Sequence, residues 1–400
     1  MDTLLPTIAA GACWEQELTH LFERVSKRFG RRETQVCAMD YVRGLLSPVE
    51  RKNGWQLAEA LERRDPDSIQ HFLNRARWDA DVVRDDVRQY VIDALAQEDG
   101  VLVIDETGFL KKGTHSAGVG RQYSGTAGRV DNCQIGVFLA YASRFGRALI
   151  DRELYLPEQW DSDAARRNEA RIPETVGFAT KPQLARKMIA RAIAARVPFG
   201  WITGDAVYGN NRQLRVWIAQ QKLHHVLAVA SNQHVWMCEF AQTTAQQLAR
   251  TIEPKAWQSL SAGDGAKGPR IYDWARIALL SWQMPGERWL LVRRSRSDPA
   301  QLAYYDYYPP HNTTLQTMAT VAGARWTIEE CFEAAKGQVG LDHYEVRSWH
   351  GWYRHMTLAM AAHAYLTALC IHAVAPPVLK KTVPVNLMQQ WKKQHMTLFQ

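Results

Sequence analysis

Val101-Leu-Val-Ile-Asp105-Glu-Thr-Gly-Phe109 is the stretch on which the fold turns. Four β-forming residues in a row make a run too short for a helix and too apolar for a loop, which predicts a strand buried on both faces. The run ends in an ionisable Asp105. A buried carboxylate is costly unless something compensates it, and a divalent cation is a common compensator. The plainer alternative is a strand-end aspartate that caps the next turn. Gly108 and Gly113, with Lys111 and Lys112 between them, predict that turn. Strand alternation sends the adjacent Glu106 to the opposite face, so it is left out of a site shared with Asp105.

Working outward, Arg121–Asn132 reads as a glycine-punctuated turn, Cys133–Ala142 as a second strand and Ala148–Leu156 as a third, together an antiparallel meander. Trp160–Thr175 is polar and loop-like. Lys181–Val197 places Leu184, Met188, Ile189, Ala192 and Ile193 on one helical face. Phe199-Gly-Trp-Ile-Thr-Gly-Asp205 is a fourth strand that also ends in an aspartate, followed by a helix at Arg212–Gln221 and a fifth strand at His225–Ala230. No GxxxxGK[ST] phosphate loop occurs among these turns. The order of three strands, helix, strand, helix, strand, together with the positions of Asp105 and Asp205, is similar to a ribonuclease H-like core.

Before the opening strand, residues from about Thr19 to Leu95 are helical in pattern, broken by Gly30, Ser47-Pro48 and Asp65-Pro66. Lys27, Arg28, Arg31 and Arg32 form a basic cluster, and Phe72-Leu-Asn-Arg75-Ala-Arg77-Trp78 interleaves aromatics with arginines, a surface suited to phosphate contact and stacking. After the fifth strand, residues 232–314 break the alternation with β-prone runs at Trp274–Trp282, Arg288–Arg294 and Leu302–Tyr308 and a loop at Ala262–Pro269. A long helix is then expected over about Thr314–Gly337. It sets Arg325, Glu329, Glu333 and Lys336 on one side, either as a solvated salt-bridge ladder or as part of a site. Met356–Ala375 is apolar but carries His363 and His372, which suits a buried core helix better than a membrane span.

Composition agrees with a soluble globular chain of two or three domains: 400 residues, 46% hydrophobic and 22% charged. The net charge of +8 favours a polyanionic partner. Residues 1–95 hold 14 Lys and Arg against 16 Asp and Glu, so the remainder carries +10. Six scattered cysteines show neither CxxC nor Cys/His metal spacing, so reduced thiols are expected. The opening Met1-Asp-Thr-Leu-Leu-Pro has no basic region or cleavage site, and no signal peptide is read.

Together these elements resemble the DDE transposases of bacterial insertion sequences, in the subgroup whose core is interrupted by a β-strand insertion. Arg325-Trp-Thr-Ile-Glu329-Glu-Cys-Phe-Glu-Ala-Ala-Lys336 fits that group's Tyr-x2-Arg-x3-Glu-x6-Lys signature at Arg, Glu and Lys, with Ala322 in place of the tyrosine. Gln134-Ile-Gly-Val, Gly340–Arg347 and Gly351–His355 extend the resemblance over about residues 20–375. Its implied architecture is α/β: a ribonuclease H-like mixed sheet (98–231 and 315–375), an N-terminal helical DNA-binding domain (1–97), an inserted β-rich subdomain (232–314) and a basic tail (376–400).

The resemblance also implies a chemistry. Asp105, Asp205 and Glu329 would be catalytic and would hold two Mg2+ ions, with Mn2+ able to substitute. Like charges at one point repel, so three converging carboxylates require cations. Arg325 and Lys336 would bind DNA phosphates, and Trp326 and Trp289 are candidates to stack a flipped base. The implied reaction is cutting at terminal inverted repeats of double-stranded DNA and joining of the 3′-OH to target DNA, by a homodimer on DNA, in the bacterial cytoplasm and with no membrane partner. A catalytically silent DNA-binding regulator or domesticated form, and a nuclease of the same fold without strand transfer, are the alternatives.

Overall fold

The computed structural model describes residues 4–374 except 239–240, 266–267 and 282–285. The expected tail at 376–400 therefore lies outside the described residues. Five helices open the chain: α1 (Leu4–Val25), α2 (Arg32–Leu46), α3 (Gly54–Ala60), α4 (Asp67–Asn74) and α5 (Ala80–Leu95). Side-chain caps start several of them, as where Asn53 accepts from the Gln56 amide and Asp79 from the Asp81 amide. The aromatic–arginine run divides by role. Phe72 and Trp78 are buried and stacked 5.2 Å apart, while Arg75 and Arg77 face solvent. The aromatics there build the core and are not available to stack a ligand.

Four strands follow: β1 (Val101–Leu110), β2 (Gly120–Ser124), β3 (Arg129–Ser143) and β4 (Gly146–Tyr155). The glycine-punctuated segment expected as a turn thus holds a strand of its own, β2, hairpinned to the start of β3. Gly108 lies within β1, opposite Ile135 of β3, and does not begin the turn. After α6 (Ala164–Glu169), α7 (Lys181–Ala194) opens with a full capping box from Thr180 and Gln183. Next come β5 (Trp201–Gly204), the short α8 (Ala206–Gly209), α9 (Arg212–Gln220) and β6 (His224–Val229).

The insertion contributes a two-stranded hairpin of β7 (His234–Cys238) and β8 (Ala241–Thr244), then α10 (Ala245–Ala249) and four strands, β9 (Gln258–Gly265), β10 (Gly268–Leu279), β11 (Arg288–Arg294) and β12 (Leu302–Tyr308). Ala262–Gly265, expected in a loop, is the end of β9. The chain closes with α11 (Leu315–Ala324), α12 (Trp326–Val339) and α13 (Trp349–Val374). The single helix expected over Thr314–Gly337 is two helices that break at Arg325, and Gly340 ends α12 in the left-handed conformation (φ +64°).

One mixed sheet of ten strands organises the molecule, in the order β2-β3-β1-β5-β6-β12-β11-β10-β9 with β4 also paired to β3. β1, β5 and β6 run parallel; β3 is antiparallel to β1, and β4, antiparallel to β3, runs in the direction of β1 again. This is the ribonuclease H-like arrangement of a mixed α/β core. The insertion strands continue that same sheet, because β12 pairs antiparallel with β6 from Tyr304↔Val229 to Tyr308↔His225. A single buried apolar cluster joins α1–α5, the sheet and α13, so the N-terminal helices share the core of the sheet. A separate small cluster, including Val235, Leu248, Leu290 and Val292, sits under the insertion. α13 is buried along almost its whole described length, and no described helix is long and apolar enough to cross a membrane.

Candidate active site

Parallel pairing brings the two strand-end aspartates together. The last rung between β1 and β5 is Ile104↔Gly204, and Asp105 and Asp205 each follow immediately on adjoining strands. Adjacent strands lie about 4.8 Å apart, so the two carboxylates leave the sheet side by side. Asp205 also caps α8, accepting from the Val207 amide at 2.9 Å. Its capping role and its place beside Asp105 are compatible, because one oxygen suffices for the cap.

The pair is half-buried and electrostatically unfavourable. Burial above all, then the charges of Asp205 and Glu106, push the Asp105 carboxyl up to about 8. Burial and then Glu106 raise Asp205 as well. Glu106 faces the other way, towards α7 and α8, where Lys181 Nζ donates to it at 2.7 Å and the buried Tyr208 hydroxyl at 2.5 Å. Its charge nonetheless reaches both aspartates.

Across from the strand ends, α12 supplies the other expected residues. Arg325, at the break between α11 and α12, reaches two carboxylates at once: its Nη1 is 3.7 Å from Asp105 Oδ2 and its Nη2 is 3.0 Å from Glu329 Oε1. Glu329 is on the same side as the aspartates but is held off from them by this guanidinium. Accordingly, no set of three His, Cys, Asp or Glu side chains among the described residues is gathered tightly enough to hold a metal ion.

The donor chemistry still suits a divalent cation. Two adjoining half-buried carboxylates, destabilised as anions, have a guanidinium shared with Glu329 as their nearby counter-charge, and a cation would relieve the same repulsion. Glu333 of the same helix is exposed and takes no part.

Lys336 docks on β1 itself, donating to Thr107 Oγ1 at 2.7 Å and to Thr126 Oγ1 of the β2–β3 turn at 3.3 Å. Burial lowers its ammonium from the ordinary lysine value. The two tryptophans differ. Trp326 is 48% exposed beside Arg325, whose guanidinium lies 6.0 Å from the ring centroid. Trp289 of β11 is half-buried, donates to Glu287 at 3.2 Å and has Arg276 4.4 Å over its ring. Its face is already covered. Ala322, in the tyrosine position of the signature, is buried in α11.

Glu106, Tyr208, Lys181 and Thr126 are residues that the sequence reading did not bring to this site. For Thr126 a signal existed: a lone glycine inside a strand often marks a close backbone approach, and the approach to Gly108 is made by the Thr126 turn.

Residues 24–269 match the family model described as DDE superfamily endonuclease, and residues 179–366 match the one described as Transposase DDE domain. The first span contains Asp105 and Asp205; the second contains Asp205, Arg325, Glu329 and Lys336. The chain is also similar to a protein of Microchaete diplosiphon named "Probable transposase for insertion sequence element IS701", with 26% identity over 194 residues. That match covers 48% of this chain and 48% of the relative, so the chain aligns with about half of the relative's length.

Proposed function

Because the chain belongs to the DDE superfamily of endonucleases, we propose that it is a DNA transposase that cuts at the ends of its element and joins the freed 3′-OH to target DNA. The observation that carries this reading is the meeting of Asp105 and Asp205 on adjoining parallel strand ends, with Glu329 opposite them on α12. Asp105, Asp205 and Glu329 would hold two Mg2+ ions, with Mn2+ able to replace them. Bound divalent cations supply activation of the attacking oxygen and stabilisation of the leaving 3′ oxygen.

The chain's own residues do the rest. Asp105 and Asp205 are kept rigid by the sheet, so the reacting phosphodiester is positioned by the protein and not by loop closure. Arg325, released from its two carboxylate partners, presents a planar fork to a phosphate, and Lys336 offers a point charge two residues beyond Asp105 in the sheet. Trp326 is placed to stack a displaced base, being exposed beside Arg325; Trp289 would need Arg276 to move first. On this reading residues 1–97 carry DNA binding, 98–231 and 315–375 the chemistry, and 232–314 the insertion. Because two ends must be cut together, a homodimer on double-stranded DNA is the active form, working in the bacterial cytoplasm.

The test is incubation of the full chain with Mg2+ and a duplex carrying the element's terminal inverted repeats. Wild type should cut the ends and join them to a second duplex, and Asp105→Asn should lose at least about a thousandfold of both steps while still binding DNA. Cutting without joining would favour the nuclease, and binding with no cutting by either protein would leave only the DNA-binding regulator.

A further inference from the structure

The β2–β3 hairpin is tied to the catalytic strand more closely than folding of the sheet requires. Ser124, at the end of β2, is fully buried against β1: a Cβ on Gly108 would clash with Ser124 Oγ. Two residues on, Thr126 Oγ1 donates to Gly108 O at 3.3 Å and receives from Lys336 Nζ at 3.3 Å. The hairpin tip is therefore clamped between β1 and α12, three residues past Asp105, or roughly 10 Å along the strand.

What the clamped tip presents to solvent is unusual for a strand end. Tyr123 and Val130 are directly paired across the hairpin, so their side chains share one face, and they are 63% and 53% exposed. Arg121, two residues before Tyr123, is exposed on the same face, while Arg129, next to Val130, faces the other way and is paired with Asp131 at 3.0 Å. Lys112 is exposed on the segment that leads from β1 to β2. An aromatic–aliphatic platform with Arg121 at its edge fits a base stacked on the ring and a phosphate against the arginine. An exposed ring on the face of a two-stranded ribbon suits a base that has left its own stack.

We infer that the β2–β3 hairpin is a DNA contact of the active site, with Tyr123 as the stacking surface for an unpaired base a few nucleotides from the scissile phosphodiester. This rests on the transposase reading above and adds to it a surface outside the Asp105–Asp205–Glu329 constellation and outside the tryptophans. Gly108 is what allows it, because any side chain there would push the tip away from β1.

Photocrosslinking tests it on the full chain, using inverted-repeat duplexes in which 5-iodouracil replaces single thymines on either side of the cleavage point. A crosslink to Tyr123, identified by mass spectrometry from one or two flanking positions, is expected. Tyr123→Ala should lose that crosslink and about tenfold to a hundredfold of end cleavage, while Tyr123→Phe keeps most of the cleavage because the ring carries the contact. The side chain is exposed, so thermal midpoints of both variants should match wild type.

If wild type cuts the ends but no position crosslinks to Tyr123 and Tyr123→Ala cuts as fast, the hairpin assignment is wrong and the transposase reading stands. If wild type neither binds nor cuts, both fall.

Discussion

Asp105 carries an unusual load for a residue in a sheet: it is half-buried, it adjoins a second half-buried carboxylate, and its nearest counter-charge is a guanidinium shared with Glu329. Arg325 thus stands in, in this structure, for the positive charge that cations would bring. The two substitutions should move stability in opposite directions. In EDTA at pH 8, Asp105→Asn removes a like charge from the cluster and should raise stability by about 1–2 kcal/mol, the usual sign when a functional carboxylate is neutralised. Arg325→Ala removes the counter-charge and should cost about 1 kcal/mol, the pair being only partly buried. Both should abolish or strongly reduce cleavage. Thermal midpoints with and without EDTA check this, and a stabilised Arg325→Ala would show that the guanidinium is not compensating the carboxylates.

At this scale the sequence singled out the two acids that the sheet sets side by side, because a carboxylate that ends an apolar strand needs a reason, and it placed Glu329 on the helix that faces them. It was not informative about the partners of Arg325. A long side chain at a helix break chooses among partners on three elements, and that choice depends on tertiary geometry. Glu106 shows the same limit: alternation assigns its face correctly, but not the reach of its charge to Asp205.

Helix α13 shows how an element can be read correctly from composition and still hold something composition does not show. Its apolar run was expected to be a buried core helix in which histidines argue against a membrane span, and it is buried nearly throughout its described length. The histidines have an acid-linked consequence. Burial, chiefly, lowers His355 to about 3 and His363 to about 4 from an ordinary value of 6.5.

His355 is held neutral between the Tyr41 hydroxyl at 2.7 Å and the Leu341 carbonyl at 3.2 Å, fastening α2 and the segment after α12 to α13. The unfolded chain takes up protons near 6.5 that the folded chain refuses until about 4 or below. Stability is therefore complete above pH 6.5 and falls as pH drops, with each histidine contributing up to about 1.4 kcal/mol per pH unit. His363 can be tested alone, since its Nδ1 has no hydrogen bond. His363→Leu should leave stability at pH 7 within about 1 kcal/mol of wild type and make the fall between pH 6 and 4.5 shallower by about one proton. Urea midpoints across that range measure it; parallel wild-type and variant slopes would mean the ring is already protonated.

The broken helix at Arg325 is the converse case. Periodicity across 314–337 supports one helix, and the local mark of the break is slight: Gly323, two residues before Arg325, in the last turn of α11. The two halves pack separately, α11 beneath β9 and α12 beside β1, and it is this packing that separates them.

On the scale of the whole molecule, the joining of insertion and core is the feature least legible in the sequence. The β-prone runs at Arg288–Arg294 and Leu302–Tyr308 were read correctly as strands, but the pairing of β12 with β6 spans some eighty residues and follows from tertiary geometry alone. The seam is made by Asp306. Its carboxylate is 1% exposed and is reached from three other elements: Arg288 of β11 donates to it at 3.0 Å, His225 of β6 lies at 3.1 Å and Arg215 of α9 at 3.6 Å. Burial alone would raise this carboxyl; Arg288, then Arg215 and His225, outweigh it and hold the group well below the usual carboxylate range.

A buried ion cluster of this kind contributes less when intact than it costs when one member is removed, because the remaining charges lose their partner. Asp306→Ala leaves two buried guanidiniums facing one another at the seam and should cost about 3–5 kcal/mol. The loss should be local first. β9–β12 should become sensitive to limited proteolysis at protease concentrations that leave wild type whole, while cuts within β1–β6 appear only later. Since Asp306 touches no residue of the Asp105 site, DNA binding below the new unfolding midpoint should persist, which separates a seam defect from a site defect. Uniform proteolysis of core and insertion together would show instead that the ten-stranded sheet opens as a single unit and that the seam has no stability of its own to lose.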